Sequence, residues 1–434
     1  MLGKKSALLF LAALGLLLGL LSITTPAFAA SKEKVLYSFC STQLCPDGSN
    51  PAASLISDAA GNLYGTAVYG GNSNCPHGCG VVFELTPANG RWKQKVLHHF
   101  EDNGRDGYYP EGSLIFDKAG NLYGTTSVGG TYSGGTVFEL MLQEDGKWKE
   151  KILHSLKYPG DGSAPRAALT LDASGNLYGT ASYGGSYDCG LVFKLTRGAN
   201  GQWSEKVLYD FVDYEGSDGC YPAAVLVFDS SGNLYGATGV GGQTGNGTIF
   251  ELTPGKHGSW TEKVLYFFGG GSDGGVPGDV VFDKAGSLYG VTGFGGGYPQ
   301  SCMGGCGTVF KFTPGAKGQW TLTTLFSFDQ TDGAFPGGRV IFDAAGNLYS
   351  TTQGGGAYGS DCPSDGLLGC GTVFKLTPGG DGKWTEEVLH SFDNNGVDGW
   401  EPYSGLIMDA AGNLYGITFM GGAYNYGTVF EITL

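Results

Sequence analysis

Basic residues are scarce in this chain: 25 Lys and Arg stand against 40 Asp and Glu, a net charge of -15. Such a surface repels phosphate, which excludes nucleic acid and anionic membrane surfaces as partners. Histidine is rarer still, at six, and neither a His-Glu-x-x-His helix nor a phosphate-binding loop occurs. Beyond residue 21 no apolar run is long enough to span a bilayer, and no segment there carries the apolar period of a helix.

What the chain does have at its start is an ordered set of export signals. Lys4 and Lys5 precede an apolar stretch from Ala7 to Leu21, followed by Ala27-Phe28-Ala29-Ala30. This is the order of a secretory signal peptide, predicted over 1–30, which leaves 31–434 as a secreted, periplasmic or cell-surface protein that no membrane retains after cleavage. Glycine is abundant, at 80, and it recurs at fixed places between aromatic and β-branched runs, as tight turns in a folded β-protein require.

Those fixed places define a repeat. Gly-Asn-Leu-Tyr-Gly, or a near copy, begins at Gly61, Gly120, Gly175, Gly232, Gly286, Gly346 and Gly412, each preceded three residues earlier by an aspartate, Asp58 to Asp409. Upstream of each lies Asp-Gly-x-x-Pro, opening at Asp47, Asp106, Asp161, Asp218, Asp273, Asp332 and Asp398. Every copy holds four short β-like runs. In the second these are Ser113 to Asp117, Asn121 to Thr126, Gly135 to Leu140 and Trp148 to Leu156, here named strands a to d. The chain is therefore predicted to be all-β, a seven-bladed β-propeller with four strands per blade. The seventh copy stops after strand c, and Lys34 to Phe39 carries the missing pattern of strand d. The N-terminal strand, 34–39, is expected to join the last blade and close the ring.

The phrase, extended through a Gly-Gly doublet to Gly135-Thr-Val-Phe-Glu-Leu140, resembles the GloVer tandem-repeat family of exported bacterial proteins, and the resemblance runs from Lys34 to Leu434. It implies an exported repeat protein and carries over no reaction and no catalytic residue. Members of that family often end in a sorting or anchoring segment. None is read in this chain, so release is expected.

Strands that alternate in direction put the b–c and d–a loops on one face and the a–b and c–d turns on the other. All ten cysteines fall in b–c or d–a loops and are expected to form disulfides. The longer b–c loops each carry a pair: Cys75 with Cys79, Cys302 with Cys306, Cys362 with Cys370. Cys189 is then expected to join Cys220, and Cys40 to join Cys45. Metal binding by Cys75, His77 and Cys79 lacks a fourth ligand, so neither a metal nor a cofactor is expected.

The seven aspartates of Asp-Gly-x-x-Pro are expected near the channel mouth, as turn formers more than as cation ligands. The histidines of strand d are expected on a solvated outer edge. Residues that differ between blades are the better candidates for a site. Tyr108, Tyr109, Tyr221, Phe335, Trp400 and Glu401 occupy the variable positions of Asp-Gly-x-x-Pro, and Tyr132, Tyr187, Tyr298, Tyr358 and Tyr424 follow the Gly-Gly doublets. Together they predict an aromatic-rich loop face, suited to extracellular carbohydrate or a protein partner. The expected function is that of a monomeric, non-catalytic binding or scaffold protein. The alternative is a secreted hydrolase, lyase or lactonase using Glu111, Asp279 and Glu401 at the channel mouth.

Overall fold

The computed structural model describes residues 31–434 apart from 73, 213–217, 299–301, 359–361 and 363–368; the predicted signal peptide lies outside the described residues. Seven antiparallel sheets, each built around an a-b-c-d strand order, form the blades. In the second blade strand a is Ile115–Phe116, b is Leu122–Thr126, c is Thr136–Leu142 and d is Trp148–Ser155. In the last blade a to c are Ile407–Met408, Leu414–Thr418 and Thr428–Thr433, and strand d is Lys32–Ser38 from the other end of the chain. Lys32 pairs with Thr433 and Ser38 with Thr428, so the ring closes as the sequence predicts. The closing strand also carries the register shift, between Val35 and Tyr37, that the other blades carry in their c–d pairing, for example at Val137/Phe138.

Each repeated residue has a physical task in this architecture. Asp58 Oδ1 accepts the backbone N–H groups of Ala60 and Asn62, which fixes the a–b turn, while its Oδ2 accepts from Asn62 Nδ2 and the Tyr64 hydroxyl. The final glycine of the phrase makes room for an aromatic ring: a Cβ on Gly65 would lie 2.7 Å from the Phe83 ring. That ring is reached from the neighbouring blade by Phe39, edge to face at 5.1 Å. The same contact recurs between Phe100 and Phe138 and between Phe392 and Phe430, at 5.2 and 5.1 Å, and it builds the core between blades. Phe39, Phe83, Phe100 and Phe138 are fully buried.

The Asp-Gly-x-x-Pro element stitches neighbouring blades together. The residue before its proline is left-handed in all seven copies, with φ of 54° at Asn50, 60° at Tyr109, 52° at Ala164, 58° at Tyr221, 56° at Val276, 57° at Phe335 and 56° at Glu401. In that conformation its N–H donates to a carbonyl in the preceding b–c loop, as Tyr109 does to Cys79 and Glu401 to Cys370, both at 3.0 Å. The aspartate is not at the channel mouth, which corrects the expectation from sequence. In six of the seven copies its carboxylate is bonded to the outer strand: Asp47 to the Tyr37 hydroxyl, Asp218 to the Tyr209 hydroxyl, Asp273 to the Tyr266 hydroxyl, and Asp106, Asp161 and Asp398 to His98, His154 and His390; Asp332, preceded by Phe326, instead accepts the Asp329 N–H. Those histidines are correspondingly part-buried and partnered, not solvated, because the d–a loop folds back over them.

Candidate binding face

Loops join b to c and d to a on one face of the ring, and this face is held by covalent staples. The five disulfides are Cys40–Cys45, Cys75–Cys79, Cys189–Cys220, Cys302–Cys306 and Cys362–Cys370, as the loop arithmetic expects, and no free cysteine remains. The opposite face consists of short turns such as Asp58 to Asn62 and Gly198 to Gln202, which contain no aromatic residue.

The two faces differ sharply in what they expose. Among the described residues ten Tyr and Phe side chains are exposed, and all ten lie in or at the ends of b–c and d–a loops. Tyr132, Tyr187, Tyr298, Tyr358 and Tyr424 are 40 to 63% exposed. They belong to five different blades, so they form a rim and not a single pocket; Tyr132 additionally lies under the Lys157 ammonium, 5.4 Å from its ring centroid.

The variable positions of Asp-Gly-x-x-Pro behave differently. Tyr108 and Tyr109 pack edge to face at 4.9 Å, and Tyr109 meets Tyr69 at 5.2 Å. Tyr221 contacts Tyr183 at 5.0 Å and Phe335 contacts Phe294 at 5.4 Å. Trp400 and Glu401, expected on the surface, are buried. The cause is local pairing: Gly399–Trp400 is hydrogen-bonded to Met420–Gly421, which carries the indole into a cluster with Cys362, Cys370 and Met420. Sequence reasoning missed Tyr69, Tyr183 and Phe294, the partners of those rings. All three directly precede a Gly-Gly doublet, and that position was the available signal.

Two recesses open on this face. A groove of about 550 Å³ at the seam between the last and first blades is lined by Leu44, Asn50, Tyr69, His77 and Tyr426 among others. The channel mouth is smaller, about 260 Å³, and is collared by Ala52, Ala53, Ala167, Ala168, Ala223 and Ala224. Its acids are engaged. Glu111 pairs with Arg166 at 3.1 Å and accepts the Ser127 hydroxyl at 2.9 Å. Asp279 accepts the Val225 N–H at 2.7 Å; burial raises its pKa, and the nearby Arg339 opposes that rise. Behind the mouth, a channel of about 870 Å³ is walled by innermost-strand residues, Ile115, Val227, Val281 and Ile341 among them. Gly270-Gly271-Ser272-Asp273-Gly274 has the spacing of a nucleophile elbow. It forms a turn between two strands, without the helix that such an elbow needs, and Asp273 is bonded to Tyr266.

No helix among the described residues is long and apolar enough to cross a membrane. The sequence profile of the Gloeobacter/Verrucomicrobia repeat matches residues 20–180 and 167–361. No curated protein matches the chain. Among solved structures, a protein from Lactobacillus plantarum is similar at 17% identity and a TM-score of 0.49, over 79% of this chain and 85% of that one. A putative gluconolactonase is similar at 13% identity and 0.41, over 93% and 92%. A putative oxidoreductase (glucose dehydrogenase) from Thermus thermophilus is similar at 16% identity and 0.44, over 75% and 96%.

Proposed function

The chain belongs to the Gloeobacter/Verrucomicrobia repeat family, and from that premise we propose that it is an exported, non-catalytic binding protein whose b–c and d–a loop face takes neutral carbohydrate. The observation that carries this reading is the confinement of all ten exposed Tyr and Phe side chains, among the described residues, to that one face. A tyrosine ring offers a flat apolar surface for the C–H face of a sugar and a hydroxyl for its rim, at little cost in side-chain entropy. The net charge of -15 favours a neutral polymer over one rich in uronate or sulfate. Distribution over five blades suits an extended chain contacted at several points, each weak, more than a single small molecule. The predicted signal peptide and the five disulfides support export.

The same geometry weighs against hydrolysis at the mouth. Glu111 is committed to Arg166 and Ser127, and Asp279 to a backbone amide. Affinity electrophoresis of the mature protein in gels containing soluble mannan, xylan or glucan tests the proposal. Retardation by at least one polymer is expected, and it should be lost when Tyr187, Tyr298 and Tyr424 are changed together to Ala. Equal mobility of the variant and the parent protein in every gel would refute the aromatic face, and capture of a secreted protein through the same tyrosines would replace the sugar with a protein partner.

A further inference from the structure

The outer edge of the ring carries a second constellation, where the d–a loops leave the outer strands. At each junction between blades the aspartate of Asp-Gly-x-x-Pro meets two residues of outer strands: one from the strand d that precedes it, one from strand d of the next blade. The latter is glutamate at five junctions, Glu33, Glu150, Glu205, Glu262 and Glu386. The former varies. At three junctions it is a histidine, and at two of these, among the described residues, it completes a compact set: His98, Asp106 and Glu150 between the first and second blades, and His390, Asp398 and Glu33 between the sixth and seventh; at the third, His154 and Asp161 pair without drawing Glu205 into such a set. In each set one nitrogen and two carboxylate oxygens lie within 4.8 Å of one another.

We propose that these two triads are equivalent divalent-metal sites of the zinc class, which clamp neighbouring blades at their outer strands. Four observations carry this. First, the donor spacing fits. His98 Nε2 lies 3.2 Å from Asp106 Oδ2 and 3.4 Å from Glu150 Oε1. Bonds of about 2.0–2.1 Å at tetrahedral angles separate ligand atoms by roughly 3.3 Å. His390 Nε2 lies 2.8 Å from Asp398 Oδ2, so that pair opens by about half an ångström to admit the ion.

Second, Glu150 Oε1 and Glu33 Oε1, like the same atom of Glu205, Glu262 and Glu386, are buried without a hydrogen-bond partner among the described residues, each beside another carboxylate, and only at Glu150 and Glu33 does a histidine nitrogen complete a compact donor set. An acidic oxygen in that setting needs a proton or a cation. Third, the aspartates are held in place by the backbone. Gly107 N–H donates to Asp106 Oδ1 and Gly399 N–H to Asp398 Oδ1, both at 2.7 Å, leaving Oδ2 turned to the histidine. Fourth, the histidine is not a requirement of the blade. Tyr209 takes its place beside Asp218 and Glu262, and Phe326 stands at the corresponding position before Asp332 and Glu386. One imidazole with two carboxylates suits zinc better than calcium or magnesium, which prefer all-oxygen sets. The site at Glu33 has a particular consequence, because Glu33 is on the closing strand: a metal there would fasten the two ends of the ring.

Isothermal titration of ZnCl2 into chelator-treated, disulfide-intact mature protein, with native mass spectrometry as an independent count, tests the proposal. Two zinc ions per chain are expected, together with a higher melting temperature. Glu150→Gln and Glu33→Gln should each reduce the count to one and the pair of changes should reduce it to none, while Glu262→Gln leaves it at two. His77, in the loop face, is the control for adventitious binding, and His77→Ala should also leave two. Absence of zinc binding in the parent protein, or an unchanged count in both single variants, overturns the proposal and leaves a shared proton as the partner of each glutamate. Near-UV circular dichroism confirms that each variant is folded before its count is read.

Discussion

Pro110 lies against Gly80, the left-handed glycine that leads into strand c of the preceding blade, so closely that a Cβ on Gly80 would stand 2.5 Å from the proline Cδ. The same pairing occurs at every junction, including the closing one, where a Cβ on Gly427 would come within 2.6 Å of Pro51. Gly61, by contrast, is left-handed at φ 82° with open space around it. Comparison of the two glycines separates backbone strain from crowding. Gly61→Ala is expected to cost roughly 1–2 kcal/mol from its left-handed conformation alone. Gly80→Ala should cost more, by roughly a further 1–3 kcal/mol of overpacking. Equal shifts in denaturant midpoint would mean that the proline contact contributes nothing.

Closure of the ring rests on Lys32–Ser38. Deleting 31–39 removes strand d of the last blade and the Phe39 ring that packs on Phe83, and it exposes the edge of Thr428–Thr433. Aggregation during refolding and a lower melting temperature are expected. Size-exclusion chromatography with a thermal melt checks both, and a monomeric truncation with an unchanged melt would contradict the closure argument.

The Cys189–Cys220 disulfide encloses 31 residues of sequence separation, against 4 for Cys302–Cys306. In the chain-entropy account a loop of that length is worth roughly 3–4 kcal/mol, more than a short one. Cys189→Ser with Cys220→Ser should therefore lower the unfolding midpoint further than Cys302→Ser with Cys306→Ser, in parallel urea titrations.

Acidity should set the stability of the metal-free protein through the outer glutamates. Burial, then the facing aspartate, raises Glu33 and Glu205 from 4.5 to about 7, Glu262 and Glu386 to about 8, and Glu150 to about 9. A carboxyl group whose folded pKa is raised holds its proton more tightly when folded. Its contribution is complete below the unfolded value and is lost as pH climbs through the folded one. In chelator, the melting temperature should fall as pH rises from about 5 to about 9. The turn aspartates act in the opposite direction. At Asp58, burial pushes the pKa up, but hydrogen bonds from Asn62, Tyr64 and Ala60 outweigh it and hold the carboxyl below 3.8, so stability is also lost in strong acid. A melting temperature that is flat between pH 5 and 9 would contradict this pairing of carboxyl groups.

The repeat made the architecture legible because each blade solves the same packing problem with the same residues. Leu, Tyr and Gly of the b strand, the Phe of strand c and the turn aspartate recur where the sheet requires them. Disulfide pairing was legible for a related reason, since loop length and cysteine position vary together. The expected site was only partly so. Trp400 reads as an exposed aromatic but is drawn inward by pairing with Met420, a contact between residues twenty positions apart that no local pattern announces. The aspartates of Asp-Gly-x-x-Pro read as channel residues, yet in six of the seven copies their hydrogen bonds run outward to strand d. The outer triads were invisible, because His98 and Glu150 belong to different copies and meet only when the blades stack.

Hydroxyl-radical footprinting of the mature protein, with and without whichever of mannan, xylan or glucan retards it most, tests the binding face directly. Protection is expected at Tyr187, Tyr298 and Tyr424 in the b–c loops, with unchanged labelling at the c–d turns around Asn200, His257 and Lys317 on the opposite face. Protection of those turns, with the tyrosines labelled as before, would contradict the account.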